Sequence, residues 1–203
     1  MPRHSLTEQE IADFRAVIQR HAIVIASEVG LVGLSMRKLA DSLHLTAGAL
    51  YRYYPSKREL ILDCCSTALL ALKERFAHKQ EATESPIGII RHMLHAYADF
   101  ALEDKDRFRL IFLENDQGAT ASLEADAEAM APYYMLKSEV LKAQSQGLIH
   151  ASDPDLVTNI LWGNVHGIIT LACTLNTFEL GDISQLLDES ISYLFRGMSP
   201  QGV

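Results

Sequence analysis

With 203 residues, 48% of them hydrophobic and 22% charged, the chain has enough apolar side chain to bury a core in one or two compact domains, which excludes a mainly disordered polypeptide. The formal net charge of −8 taken alone argues against a nucleic-acid partner. No uninterrupted apolar run nears the roughly 20 residues of a bilayer-spanning helix, the opening MPRHSLTEQEIADF lacks a secretory apolar core, and three cysteines (Cys64, Cys65, Cys173) have neither disulfide nor metal spacing.

A cytoplasmic protein without membrane association is expected, and its punctuation is helical throughout. Thr7 and Glu10 read as a capping box, followed by Ile11, Phe14, Ile18, Ala22, Ile25 and Val29 at steps of three and four. Gly30-Leu31 closes this first helix as a glycine followed by an apolar residue. A second, short helix starts at Ser35 and runs over Met36–Leu43; His44-Leu45 is a turn; Thr46 caps a third helix to about Tyr53. Pro55 stops it, because the residue before proline is driven out of the helical region. The Ser56-x-x-Glu59 pair opens a fourth helix towards His78, and KQEATES reads as a linker.

Ser85-Pro86 starts a helix to about Glu103. DKDRFRLIFLEND forms a shorter one ending near Asn115-Asp116-Gln117-Gly118. The stretch 121–147 favours helix but Pro132 must begin, break or kink it, and Gly147-Leu148 repeats the glycine stop. Asp153-Pro154 opens an apolar helix to about Leu175, and Ser184 opens a last one ending near Gly197. With no strand-like alternation and no internal repeat, an all-α fold of about nine helices follows.

Charge is unevenly spread along this series. Residues 1–60 hold eight Lys/Arg against six Asp/Glu, while 61–203 hold ten against twenty. A small basic head on an acidic body suits a module that binds a polyanion. In that head, helices two and three bury Leu39, Ala40, Leu43, Leu45, Leu50 and Tyr54 as an apolar wedge. Two short helices joined by a brief turn have helix-turn-helix spacing, in which the second helix can enter a major groove. Ala47, Gly48 and Ala49 leave its front nearly bare, so its backbone can come close to a groove. Tyr51 and Tyr53 cannot both join Leu50 on the inner face, so at least one hydroxyl stays at the rim, where phosphate contacts are common. Lys57 sits on the positive end of the fourth helix, mildly costly for a cation, unless a phosphate docks there.

GLSMRKLADSLHLTAGALYRYYPSKRELI, positions 33–61, closely resembles the DNA-binding signature of the tetracycline-repressor (TetR) family. With the preceding helix and its Gly30, the resemblance covers about 60 of 203 residues. Its most specific part is Leu50-Tyr51-x-Tyr53-Tyr54-x-Ser56-Lys57. The resemblance implies double-stranded DNA with a near-palindromic operator as partner, phosphate contacts from Ser35, Tyr51, Tyr53 and Lys57, and base contacts at Arg37, Thr46 and Ala47. Arg52 is the other polar side chain available to the reading helix. Few polar groups face the bases, so Arg37 on a guanine and small apolar contacts to thymine methyls would have to supply specificity.

The remaining 140 or so residues diverge more. LWGNVHGIITLA, 161–172, resembles the tryptophan-x-x-x-histidine-glycine stretch of one C-terminal subgroup, which implies a homodimer built on the last two long helices. Ile160, Leu161, Val165, Ile168, Ile169, Leu171 and Ala172 cover too much of the circumference for one surface-facing stripe, so this helix is buried in the monomer or across subunits. The resemblance also implies a small apolar or amphipathic effector, for which Met93, Tyr97, Phe100, Phe108, Phe112, Trp162 and His166 are candidate walls, although such side chains at helical spacing are more often core.

No cofactor, metal or catalytic site is expected. His92, His95 and Asp99 share one helix face without any accompanying zinc motif, Cys64-Cys65 reads as buried and inert, and neither a nucleophile elbow nor a phosphate-binding glycine loop is present. The expected division is a DNA-binding domain over 1–55 and an effector-binding and dimerisation domain over 56–203. The expected function is a transcriptional repressor released by a ligand. The alternatives are a regulator whose C-terminal bundle only dimerises or docks a protein, and an all-α bundle or enzyme with a vestigial head.

Overall fold

The computed structural model describes residues 7–77, 85–114, 122–123, 125–175 and 180–200. Among these, the chain forms nine α-helices and no strand: α1 (Glu8–Gly33), α2 (Met36–Ser42), α3 (Ala47–Leu50), α4 (Lys57–Ala77), α5 (Pro86–Glu103), α6 (Lys105–Phe112), α7 (Ala131–Ser145), α8 (Pro154–Thr174) and α9 (Ile183–Met198). The KQEATES linker up to residue 84, His78 at the expected end of α4, and the Asn115–Gly118 stop lie outside the described residues. Two compact units result, Met1–Ala68 with Asp106–Asp126, and Leu69–Lys105 with Ala127–Val203.

In the first unit, α1 starts on the expected capping box: the Glu10 amide donates to Thr7 Oγ1 at 3.2 Å and the Thr7 amide to Glu10 Oε2 at 2.7 Å. Its regular course breaks at Gly30 (φ +70°). A Cβ there would meet nothing, so the left-handed backbone rather than crowding calls for glycine. The break turns Leu31 inward, while the expected stripe positions Ile11 and Val29, near the two ends of the regular helix, stay exposed. Ile18, Ala22, Leu39, Ala40, Leu50, Tyr54, Leu60 and Ile61 make the centre of the core, with Leu43 and Leu45 packed partly buried at its edge.

The second unit packs α7 against α5 and α8, and α8 against α5 and α9. Pro132 turns out to begin α7. That helix ends in a full Schellman motif, with Leu148 N–H to Ala143 O at 2.9 Å, Gly147 N–H to Gln144 O at 3.0 Å, and Gly147 at φ +67°. The last helix is capped by Asp182 rather than Ser184. Asp182 Oδ1 accepts from the amides of Ser184 and Gln185, because a carboxylate outcompetes a hydroxyl for the positive helix end.

By length and composition alone, α1 and α8 could cross a bilayer, yet each buries one face in its own unit. On α8, Val157, Leu161, Val165, Ile169 and Cys173 are buried, whereas Leu156, Ile160, Gly163, Gly167 and Leu171 form an exposed stripe opposite. The apolar circumference therefore serves two purposes, a core face and a bare one.

Candidate nucleic-acid interface

Local chemistry shapes the helix-turn-helix. Ser35 Oγ accepts from the Lys38 amide at 3.1 Å and starts α2. The turn that ends α2 is again a Schellman closure, with Leu45 N–H to Ala40 O at 2.9 Å and His44 N–H to Asp41 O at 3.1 Å. Here a histidine, not a glycine, takes the left-handed position (φ +54°), a strained choice that sequence pattern does not reveal. Thr46 Oγ1 accepts from the Ala49 amide at 3.2 Å and caps α3.

The reading surface is as bare as expected. Gly48 is exposed with open space before its Cα, Ala47 is half-buried, and Arg37, Lys38 and Arg52 are exposed. The two tyrosines divide: Tyr51 stays on the rim at 47% exposure, while Tyr53 is half-buried with its ring 5.0 Å from that of Phe14. Arg15 donates to the Tyr53 carbonyl at 3.0 Å and lies over the Tyr54 ring.

Behind that surface is a polar knot that the sequence does not disclose. The Tyr54 hydroxyl donates to Asp63 Oδ2 at 2.5 Å, and Gln19 Nε2 donates to Asp63 Oδ2 at 2.9 Å and to the Tyr54 oxygen at 3.3 Å. It ties α1 to α4 through the residue before Pro55. Burial, then the bond to Asp63, pushes the Tyr54 phenol well above its ordinary range. The one sequence signal is Arg15 and Gln19, polar and one turn apart on α1. Cys64 and Cys65 lie in the core, and burial followed by the neighbouring Cys65 and Asp63 raises the Cys64 thiol, which makes it inert.

Lys57 has a protein partner. Its Nζ donates to the carbonyl of Leu31, the residue after the Gly30 break, and the ammonium is half-buried. The Leu31 amide in turn donates to Glu114 Oε2 at 3.4 Å. In the same first turn of α4, the Glu59 amide donates to Ser56 Oγ at 3.2 Å, and Arg58 donates to Ser122 Oγ at 3.0 Å. The lysine that looks misplaced against the α4 dipole thus meets a carbonyl at the C-terminal end of α1, where a cation is favoured.

The candidate effector residues fall in both units. In the second, Met93, Tyr97 and Phe100 are buried on α5, and Tyr97 joins the two named residues of the tryptophan–histidine stretch. The Tyr97 hydroxyl lies 2.7 Å from His166 Nδ1, and the Trp162 ring is 5.6 Å from that of His166. Burial lowers the His166 pKa. Tyr133 lies edge-on to Trp162 and bonds Asp155 Oδ1 at 3.1 Å. Phe108 and Phe112 belong to the first unit, where their rings pair at 5.2 Å. His95 pairs with Asp188 at 3.0 Å, and no cluster of three metal-ligating residues occurs among the described residues.

Comparison with known proteins agrees with this geometry. Residues 18–64 match the model for "Bacterial regulatory proteins, tetR family", and residues 90–194 match that for "Tetracyclin repressor-like, C-terminal domain". The uncharacterized HTH-type transcriptional regulator YezE of Bacillus subtilis (strain 168) is 24% identical over 188 residues, 88% of this chain and 95% of its own. The fold is shared by a tetR-family regulatory protein from Rhodococcus RHA1 (TM-score 0.72, 14% identity, 91% of this chain and 96% of that one). It is shared too by AibR in complex with isovaleryl coenzyme A and operator DNA (TM-score 0.73, 18% identity, 89% and 97%). A glycine-fronted reading helix behind a capped turn, with both family models matched in order along the chain, makes this protein a member of the tetracycline-repressor family of DNA-binding transcriptional regulators.

Proposed function

We propose that the protein is a homodimeric repressor that leaves a near-palindromic operator when a small apolar or amphipathic effector binds its C-terminal part. The observation that carries the DNA half is the bare front of α3. Gly48 is open to solvent, Thr46 and Ala47 stand at its entrance, and Arg37, Tyr51 and Arg52 project around it. In this reading Ser35, Tyr51, Tyr53 and Lys57 take phosphates, Lys57 with the N–H bonds left over from Leu31, while Arg37, Thr46, Ala47 and Arg52 face bases. Residues 1–55 read DNA, and 56–203 bind the effector and dimerise.

The exposed stripe of α8 supports dimerisation, since it is apolar and small in the middle. Two-fold pairing would set two reading helices one turn of DNA apart. For the effector, the second unit holds three buried side-chain oxygens without a partner among the described residues: Glu139 Oε2, Asn164 Oδ1 and Thr170 Oγ1. Buried acceptors call for donors, and residues 61–203 are strongly acidic. Both favour an amphipath that donates hydrogen bonds and is not itself anionic, in contrast to the coenzyme A thioester carried by AibR. Release follows if the effector binds the DNA-incompetent arrangement more tightly.

The test is binding of the purified protein to DNA flanking its own gene, across a salt series and beside Lys57→Ala. Tight binding to one near-palindrome, falling steeply with salt and weakened on every sequence by the substitution, is the expected result. Weak binding that is blind to sequence, on this DNA and on fragments selected genome-wide, would overturn it.

A further inference from the structure

The family's lysine at the start of α4 is not simply offered to DNA. It is held, and what holds it is held in turn. Gly30 interrupts the helical backbone of α1 (φ +70°, ψ 168°) just before Leu31. Both polar groups of that one residue are taken by side chains distant in sequence: the carbonyl by Lys57, the amide by Glu114 just past the end of α6. All three belong to the first compact unit. We propose that Glu114 is a positioning residue for DNA binding: by fixing the Leu31 main chain it seats the Lys57 ammonium where a phosphate can receive it. The proposal rests on the phosphate role given to Lys57 above.

The chemistry of the arrangement supports a positioning role over a structural one. An ammonium has three donors. One spent on Leu31 fixes the direction of the stem and leaves two for a phosphate. A free lysine carries considerable rotamer entropy, part of which is removed before DNA arrives, so the tether pre-organises the contact. The Glu114 bond is long at 3.4 Å, so its role is read from DNA binding rather than from stability. Arg58 repeats the theme one residue on, reaching Ser122 beyond α6.

The sign of the effect separates this from general electrostatics. Removing a carboxylate near a DNA-binding head should by charge alone tighten binding. Loss of positioning does the reverse. The experiment is fluorescence anisotropy with two labelled duplexes, the flanking DNA and a scrambled one, from low to physiological salt. It compares the wild type with Lys57→Ala, Glu114→Ala, Glu114→Gln and the double alanine variant, each checked by circular dichroism and melting. Lys57→Ala should flatten the log–log salt slope by about 0.9 for each head, or about 1.8 for a two-headed dimer. Glu114→Ala should weaken binding and flatten the slope by a similar amount. The double variant should be no worse than Lys57→Ala. Glu114→Gln, whose amide oxygen still accepts from Leu31, should bind as the wild type or more tightly. Wild-type slope and equal or tighter binding in Glu114→Ala, beside a flattened Lys57→Ala, would overturn the positioning role and leave the phosphate role standing. An unchanged slope in Lys57→Ala would remove both.

Discussion

The Tyr54–Asp63–Gln19 knot offers the sharpest test of what holds the DNA-binding head together. Tyr54→Phe deletes one oxygen from a residue that is 1% exposed and keeps the ring, so no cavity opens and the packing term is nearly silent. What disappears is a short bond to a carboxylate, 2.5 Å to Asp63 Oδ2. Hydrogen bonds to charged groups contribute about 1.5–3 kcal/mol. Asp63 keeps Gln19 at 2.9 Å, which spares it a fully orphaned oxygen and places the expected loss near the middle of that range, about 2 kcal/mol.

The assay has to see the head alone. Trp162, the chain's only tryptophan, sits in the other unit, and a chain of two units need not unfold in one step. Native-state hydrogen exchange of the α1 and first-half α4 amides is the appropriate measurement. A loss of protection below about 0.5 kcal/mol, within the scatter of neutral surface substitutions, would refute the assignment of that bond.

The same group predicts a pH limb. Burial and the bond to Asp63 raise the folded-state pKa of Tyr54 above the value of about 10 it has when unfolded. The stabilisation is therefore complete below pH 10 and is lost as pH rises, because the unfolded chain releases the phenolic proton first. Protection of α1 amides should fall above about pH 10 in the wild type and less steeply in Tyr54→Phe. Equal slopes would mean that another group governs the alkaline limb.

Two further substitutions probe the backbone. His44 holds a left-handed conformation at φ +54°, which costs a residue with a Cβ about 1–2 kcal/mol, while glycine returns up to about 1 kcal/mol through a freer unfolded chain. His44→Gly should therefore be neutral to mildly stabilising and His44→Val clearly destabilising, read from the urea midpoint of the head. A tolerated valine would show that the Schellman closure of α2 is not rigid. Gly163 and Gly167 face open space, where a Cβ at either position would meet nothing within 4 Å, and leucine gains up to about 1 kcal/mol of helix propensity at each. If the proposed homodimer pairs through this stripe, the double Gly163→Leu, Gly167→Leu variant should keep its helical circular dichroism yet sediment at a lower mass than the wild type at equal concentration; equal sedimentation would take this stripe out of the interface.

Most of the architecture is legible because its signals are local. Thr7–Glu10, Ser35, Thr46, Ser85-Pro86 and Asp153-Pro154 all begin helices in the structure, since a cap acts on amides two or three residues away and needs no tertiary context. Sequence and structure part where two local signals compete or a pattern runs past its support. Ser184 looks like a cap, but Asp182 carries the charge. Periodicity extends the α1 stripe to Ile11 and Val29, yet both are exposed in the structure. The apolar coverage of α8 is visible, but periodicity cannot say which half packs inside one chain.

The candidate site shows the same boundary more sharply. The small front of α3, Ala47-Gly48-Ala49, can be read because it lies within one short segment. Lys57 can be noticed but not explained, because its electrostatic cost is local and its compensation is 26 residues away at Leu31. At Lys57 the group that meets this charge is the Leu31 carbonyl. Sequence cannot distinguish a phosphate from a carbonyl in that role, since both are oxygens that accept from an ammonium. The structure places the carbonyl there and leaves further ammonium donors to spare. The lysine can therefore serve the fold and the DNA at once, so a substitution at Leu31's other partner, Glu114, separates the two uses more cleanly than one at Lys57 itself.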